Sequence, residues 1–428
     1  MNDAKEKGEP FPAGKNFLFF RDLRRILNVP QIKGRSCVPW QKNCEGTAAA
    51  ETAATADDII TRRYLLMKWS ADPENLKMIE ALASAKAPSG FEDETIAAAR
   101  SWVENIGPLK EDHLRNFYIG RHANTGDKPL LMLDAHSDEV GFMVHSIHDN
   151  GTLRFVMLGG WNLNTLPSSK VLVRNALGEY IPGIIAAKPL HFMSAAERDN
   201  PILELKNLVI DIGACSREEA MNDFHIRIGE PVVPDVRFSY DEKHDIMMGK
   251  AFDCRIGCAA LLETMRRLKD ETLDVDLTAV LSSQEEVGAR GATVAVNTIK
   301  PNIAIVFEGT PADDTFTEPY AIQTARKKGP MIRFMDRSVI CSPRFQRFAL
   351  DLAERKGLPV QSSVREGGGT NASVINTSLD GIPAIVIGVP VRYIHSHYGI
   401  ASCFDFEASV RLAVEIIRSM TPEIIEGF

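Results

Sequence analysis

The chain has 428 residues, 44% of them hydrophobic, which is enough apolar material for one large core or two smaller ones and, by length, for two or three domains. Its formal net charge of -8 comes from acids and bases mixed along the whole chain, which argues against the basic stripe of a nucleic-acid binder. No window is long and apolar enough for a membrane-spanning helix, and no apolar segment near Met1 leads to a small-residue cleavage site.

The cysteines, seven in number and irregularly spaced, suggest neither a disulfide framework nor a zinc ribbon, so a reducing, cytoplasmic setting is expected. Residues 1–66 differ in texture from the rest, with isolated apolar clusters, a basic run at Arg21 to Arg25 and an Ala/Thr/Glu segment. They are expected to form a poorly ordered N-terminal extension with a short amphipathic piece around Phe17 to Leu27. Asp3, Glu6, Glu9 and Asp22 count against a transit peptide, and Met67 is an alternative start.

From Asn75 the spacing of Leu76, Met78, Ile79, Leu82 and Ala83 predicts a helix, and Gly90 to Glu92 open a second one carrying Ile96 and Trp102. Leu130 to Leu133 is a short continuous apolar run, the pattern of a strand buried on both faces. Similar runs at Thr278 to Leu281, Ile303 to Phe307 and Ala384 to Ile387 alternate with helical patterns, which predicts an α/β domain with a mixed, largely parallel sheet. Between 144 and 235 the texture changes to short alternating strands at Leu153 to Met157, Lys170 to Val173, Tyr180 to Ile185, Asn207 to Ile212 and Glu230 to Val233. The expected organisation is a small β-barrel domain, 144–235, inserted into an α/β domain made of 67–143 and 236–428.

Five motifs fall at the ends of these strands or just beyond, where open α/β sheets collect ligand-binding groups. The first, Asp134 to Gly141, offers His136 as a metal ligand and Asp138 as an acceptor for the other ring nitrogen. The second places Asp253 just before an apolar helix, Ala259 to Met265, where a helix cap and a metal ligand are both open to it. Cys254 and Cys258 share a face there and read as small packing residues.

The third motif is the adjacent pair Glu285 and Glu286, which repel each other and need a compensating cation, one as ligand and its neighbour as general base. The fourth supplies Glu308, and the fifth supplies His395 and His397, either of which could ligate. His136, Asp253, Glu286, Glu308 and His395 thus form a candidate ligand set with Glu285 left free, and such nitrogen and oxygen donors suit zinc, cobalt or manganese better than magnesium or calcium.

On these residues, from about Met67 to near the C-terminus, the chain resembles the glutamyl and tetrahedral (TET) aminopeptidases, metallopeptidase family forty-two, some of which have been labelled endoglucanases. The resemblance implies a phosphorylase/hydrolase-like zinc-peptidase domain holding two zinc or cobalt ions. It also implies that the insert is a PDZ-like dimerisation domain of a large homo-oligomer, commonly a dodecamer. Residue by residue, it implies that Asp253 bridges the ions, His136 and Glu308 complete one site, Glu286 and His395 complete the other, and Glu285 is the general base beside Asp138. Glu308 stands where many relatives carry Asp. The stretch Arg365 to Ala372 departs from the usual Gly-Thr-Asp-Ala, with Gly368 and Thr370 as candidate substrate contacts.

The expected activity is metal-dependent release of N-terminal amino acids from peptides. A deacylase of the same metal type, a metal-independent glucanase and a non-catalytic assembly scaffold are the readings it competes with.

Overall fold

Continuous apolar runs become strands sandwiched between helical layers. In this computed structural model, which describes residues 71–199 and 203–428, short strands β1 (Leu109–Glu111) and β2 (Phe117–Ile119) precede β3 (Leu130–His136), and every residue of β3 after Leu130 is buried. The expectations for 1–66 and for a start at Met67 lie outside the described residues.

Strands β4 (Gly141–Ile147), β5 (Leu153–Leu158), β6 (Lys170–Arg174), β7 (Tyr180–Ala186), β8 (Val209–Asp211) and β9 (Pro231–Pro234) close into a barrel in the order β4-β5-β8-β7-β6-β9. Then follow β10 (Ser239–Asp241), β11 (Ile246–Gly249), β12 (Asp276–Ser282), β13 (Ile303–Pro311), β14 (Met331–Met335), β15 (Gln361–Val364), β16 (Ala384–Val391) and β17 (Gly399–Ala401). The main sheet runs β1-β2-β12-β3-β13-β16-β14-β15, and its centre, β12 to β16, is parallel. The fold is a mixed α/β architecture with a closed barrel.

Two apolar layers cover the sheet. On one face, α1 (Pro73–Ser84), α2 (Phe252–Leu268) and α3 (Cys403–Arg418) pack Met78, Leu261, Leu262 and Val410 against Leu131, Leu133, Ile305 and Ile387. On the other, Ala292, Val296 and Ile375 meet Met132, Val306 and Val386. Alternate residues of one strand serve opposite layers, which is why no polar residue interrupts these runs.

The barrel has its own core, in which Phe142 stacks on Trp161 at 4.8 Å and meets Phe155 edge-on at 5.1 Å.

Three details correct the sequence reading. The second helix covers Asp93–Arg100, so Trp102 lies beyond it, under the Arg266 guanidinium. Asn207 belongs to a tight 3-10 turn, Leu205–Asn207, and the strand after it is limited to Val209–Asp211. The β3, β13 and β16 strands run past their apolar stretches through Asp134, Glu308 and Gly388, because the polar groups there are buried and paired rather than exposed.

A buried charge cluster ties the N-terminal helices to the sheet. Lys250 Nζ lies 2.6 and 2.7 Å from the two oxygens of Glu139 and donates to Ala85 O at 2.7 Å, while Arg255 donates to Leu82 O and Ala87 O. Lys250→Met would leave Glu139 charged in a desolvated site, at an expected cost of about 3–5 kcal/mol. A urea unfolding midpoint unchanged from wild type would contradict that role.

Candidate metal centre

Four adjacent parallel strands aim their carboxyl ends at one point. His136 ends β3, and the register that pairs Ser282 with His136 and Val306 with Asp134 carries Glu308 level with His136. Glu285 and Glu286 lie in the turn after β12, and His395 lies in the loop after β16. Asp253 enters from the start of α2, where its backbone is non-helical (φ -84°, ψ 105°). The capping role open to it from sequence is not adopted, because its side chain faces the imidazoles.

Asp253 Oδ1 is 3.1 Å from His136 Nε2, and Oδ2 is 3.2 Å from His395 Nε2. Glu308 Oε2 and Glu285 Oε2 stand 3.7 and 4.0 Å from His136 Nε2, and Glu286 Oε2 stands 3.4 Å from His395 Nε2. The structure therefore brings His136, Asp253, Glu285, Glu286, Glu308 and His395 into one cluster, with the buried Cys254 beside His136, Asp253 and Glu308, in overlapping groups whose candidate donor atoms lie within 4.8 Å of one another.

Four carboxylates face two imidazoles here, so when all four are ionised the two rings cannot neutralise them. Burial pushes the Glu285 carboxyl up to about 7 and those of Glu286 and Glu308 well above their usual range. Burial would raise Asp253 too, but the facing His136 and His395 hold it well below the usual range. Glu286 Oε1 is buried with no hydrogen-bond partner. A desolvated, anion-rich cluster with an orphaned carboxylate oxygen and both nitrogen and oxygen donors fits divalent cations.

Asp138 is fully buried with Oδ1 3.3 Å from His136 Nδ1, and it also accepts from Ser89 Oγ (2.6 Å), Glu285 N (2.9 Å) and Glu286 N (3.2 Å). One carboxylate thus lies against the ring of the first histidine and holds the turn that carries both glutamates. Sequence reasoning found the first partnership and missed the second, along with Ser89. It also missed Glu92, whose Oε1 accepts from Gln284 N, and Asn371, which donates to Asp134 Oδ2 and Ser282 Oγ.

Of the two histidines left open, His395 joins the cluster. His397 packs on Trp161 at 5.5 Å, and burial pulls it down to about 4, so its ring is neutral. Cys254 and Cys258 donate to Phe307 O and His136 O, and burial pushes both thiols up, consistent with packing.

The barrel touches the site through the turn after β5. Gly159 has φ +79°, and a Cβ there would sit 2.7 Å from Val140 Cγ1 and 3.2 Å from Glu286, so only glycine fits. The cluster opens into a cavity of about 960 Å³ whose far wall includes Gly368 and Thr370.

Comparison with known proteins gives the class, a peptidase hydrolase. The M42 glutamyl aminopeptidase family model matches residues 117–412, and the chain belongs to that family. The glutamyl aminopeptidase of Lactococcus lactis is 31% identical over 81% of this chain and 96% of its own length. The lysyl aminopeptidase of Pyrococcus furiosus is 31% identical over 69% of this chain and 84% of its own length. Among solved structures, a TET aminopeptidase from a Thaumarchaeota archaeon superposes with a TM-score of 0.79 at 37% identity, covering 83% of this chain and 99% of that one. The Pyrococcus horikoshii TET1 peptidase, described as assembling into a tetrahedron or a large octahedral shell, gives 0.72 at 28% identity, covering 81% of this chain and 100% of that one.

Proposed function

We propose that the protein is a dinuclear metal-dependent aminopeptidase that releases N-terminal amino acids from peptides. The observation that carries this reading is Asp253, whose two oxygens face one histidine each, with a glutamate beside each histidine and Glu285 left over. Asp253 would be shared by two ions, His136 and Glu308 would hold one, and Glu286 and His395 the other. Zinc suits the donors best, with cobalt or manganese as alternatives. When bound, the ions supply Lewis acidity toward the scissile carbonyl and toward water.

The chain's own groups do the rest. Glu285 takes the proton from the attacking water and returns it to the leaving amine. Asp138 keeps that glutamate in place through its backbone N–H and fixes the ring of His136. Carboxylates around the ions would anchor the substrate's free α-amino group, which confines cleavage to the first peptide bond. Hydrolysis of a free-N-terminus tripeptide and of its N-acetyl counterpart, followed by chromatography, tests this. The acetylated peptide is expected to be cleaved at least about tenfold more slowly, since it lacks the free amino group that the site would anchor. Equal rates would contradict the exopeptidase reading, and hydrolysis of N-acyl amino acids in preference to peptides would favour a deacylase.

The same proposal includes assembly through the barrel into a homo-oligomer, a dimer-based particle such as a dodecamer. Its support is the exposure of apolar side chains on the barrel, among them Leu190 at 66% and Phe192 at 74%, and the described assembly of the Pyrococcus horikoshii protein. A monomer mass by light scattering at micromolar concentration would contradict it. A cytoplasmic location belongs to this proposal as well, and among the described residues no helix is long and apolar enough to cross a membrane.

A further inference from the structure

The turn that carries Glu285 and Glu286 is held from outside itself. Four consecutive backbone N–H groups each donate to a side chain distant in sequence: Ser283 N to Asn116 Oδ1 at 2.9 Å, Gln284 N to Glu92 Oε1 at 3.2 Å, Glu285 N to Asp138 Oδ1 at 2.9 Å and Glu286 N to Asp138 Oδ2 at 3.2 Å. Asn116 closes the far end as well, since its Nδ2 donates to Gly291 O at 3.1 Å. Gln284 has φ +56°, a left-handed conformation that a residue with a Cβ holds only where its surroundings impose it.

Glu92 stands at the entry to the Asp93–Arg100 helix and is fully buried. Its Oε1 also accepts Gly90 N at 2.7 Å, and Ser89 Oγ donates to Asp138 Oδ2 at 2.6 Å, so one short segment grips both Asp138 and Gln284. Glu92 Oε2 is buried with no partner among the described residues, and the side chain makes no cap on its own helix. Burying a carboxyl costs free energy, and local structure here gives no return for it. What Glu92 does is accept the N–H that Asn116 and Asp138 leave over. Without it that donor would be unpaired, and the residue before Glu285 would lose what holds it in the left-handed region. Burial and the neighbouring Asp138 push the Glu92 carboxyl up to about 7, so its neutral form is accessible near neutral pH.

We propose that Glu92 is a positioning residue for the general base: by accepting the Gln284 N–H it fixes the backbone one residue before Glu285, and with it the aim of that carboxylate. The inference rests on the reading of Glu285 as the group that takes the proton from water, and it assigns a part in that step to a residue that does not line the cavity. Glu92 acts as an acceptor rather than as a charge, because its partner is a neutral amide. Asp138 lies against His136 as well as the turn, so its loss would disturb the metal ligand and the base together. Glu92 reaches the turn alone, which lets its effect be read on the base.

The test measures kcat, KM and metal content on whichever of a free-N-terminus aminoacyl p-nitroanilide and an N-acyl amino acid the wild-type protein hydrolyses. Glu92→Leu is expected to lower kcat by about 10–100-fold, the scale of a small misplacement of a reacting group, with KM and metal content near those of the wild type. Glu92→Gln, which keeps the acceptor and the shape, is expected to retain most of the activity, and Glu92→Asp, one methylene shorter, to lie between. In a Glu285→Gln background the Glu92→Leu loss is expected to shrink to within about twofold, since the group it positions no longer takes a proton. A general structural defect would carry over undiminished. Unchanged kcat in Glu92→Leu and Glu92→Asp, a full loss in the Glu285→Gln background, or activity that falls in step with metal content would overturn the inference and leave the aminopeptidase reading intact. Should Glu92→Leu not fold, Glu92→Asp decides in the same cycle. Wild-type hydrolysis of the N-acyl substrate alone would overturn the aminopeptidase reading while the same variants still judge Glu92, and hydrolysis of neither substrate would overturn both.

Discussion

Replacing Glu285 by glutamine is expected to lower kcat by about 10²–10⁴-fold, the usual contribution of a general acid–base group, with metal content close to that of the wild type. The side chain is isosteric, so the site's packing is kept, but an amide cannot take a proton from water. Glu285 suits the role by position: its Oε2 stands 4.0 Å from His136 Nε2, farther than the other carboxylates near that ring, and its backbone is pinned by Asp138. Single-turnover kinetics on a chromogenic substrate, with metal content measured in parallel, read the effect. Near-wild-type turnover would assign the proton transfer to another group.

Asp253→Asn is expected to act one step earlier, by removing metal rather than slowing chemistry. Its two oxygens reach one imidazole each, at 3.1 and 3.2 Å. The amide keeps one oxygen acceptor but presents an NH₂ donor and no charge to the other half of the site. Metal content by elemental analysis should fall and turnover should become undetectable, and excess zinc should not restore it. Full metal occupancy in this variant would mean that the two halves of the site do not depend on a shared carboxylate.

The sequence made the strands of the main sheet and the identity of the clustered side chains readable for the same reason. A strand buried on both faces must be apolar at every position, so the residues that break the run, His136, the glutamates after Ser282, and Glu308, stand out against it. Strand ends were less legible because these polar residues remain in the ladder, paired across the sheet. The barrel's first strand, Gly141–Ile147, was hidden directly behind the His136 motif, with no turn residues to separate the two.

What sequence could not convey was contact between distant segments. Asp138 meets Ser89, 49 positions away, and the Glu285 N–H, 147 positions away, while Asn371 reaches Asp134 across 237. Each of these polar residues has an ordinary local explanation, in a turn or a loop, and only the fold shows that they brace one site. The orphaned hydroxyls of Ser363 and Thr370 belong to the same category, since burial and a missing partner are properties of the folded chain.

A cluster that works through bound metal loses its activity when the metal is removed. The direct measurement strips the full-length protein with a chelator, adds back zinc or cobalt in defined amounts, and follows both metal content and hydrolysis of free-N-terminus aminoacyl substrates. Hydrolysis is expected to disappear on stripping and to return with metal, reaching its plateau at about two ions per subunit, as a dinuclear site requires. Undiminished hydrolysis by the stripped protein, or no metal uptake at all, would contradict that expectation.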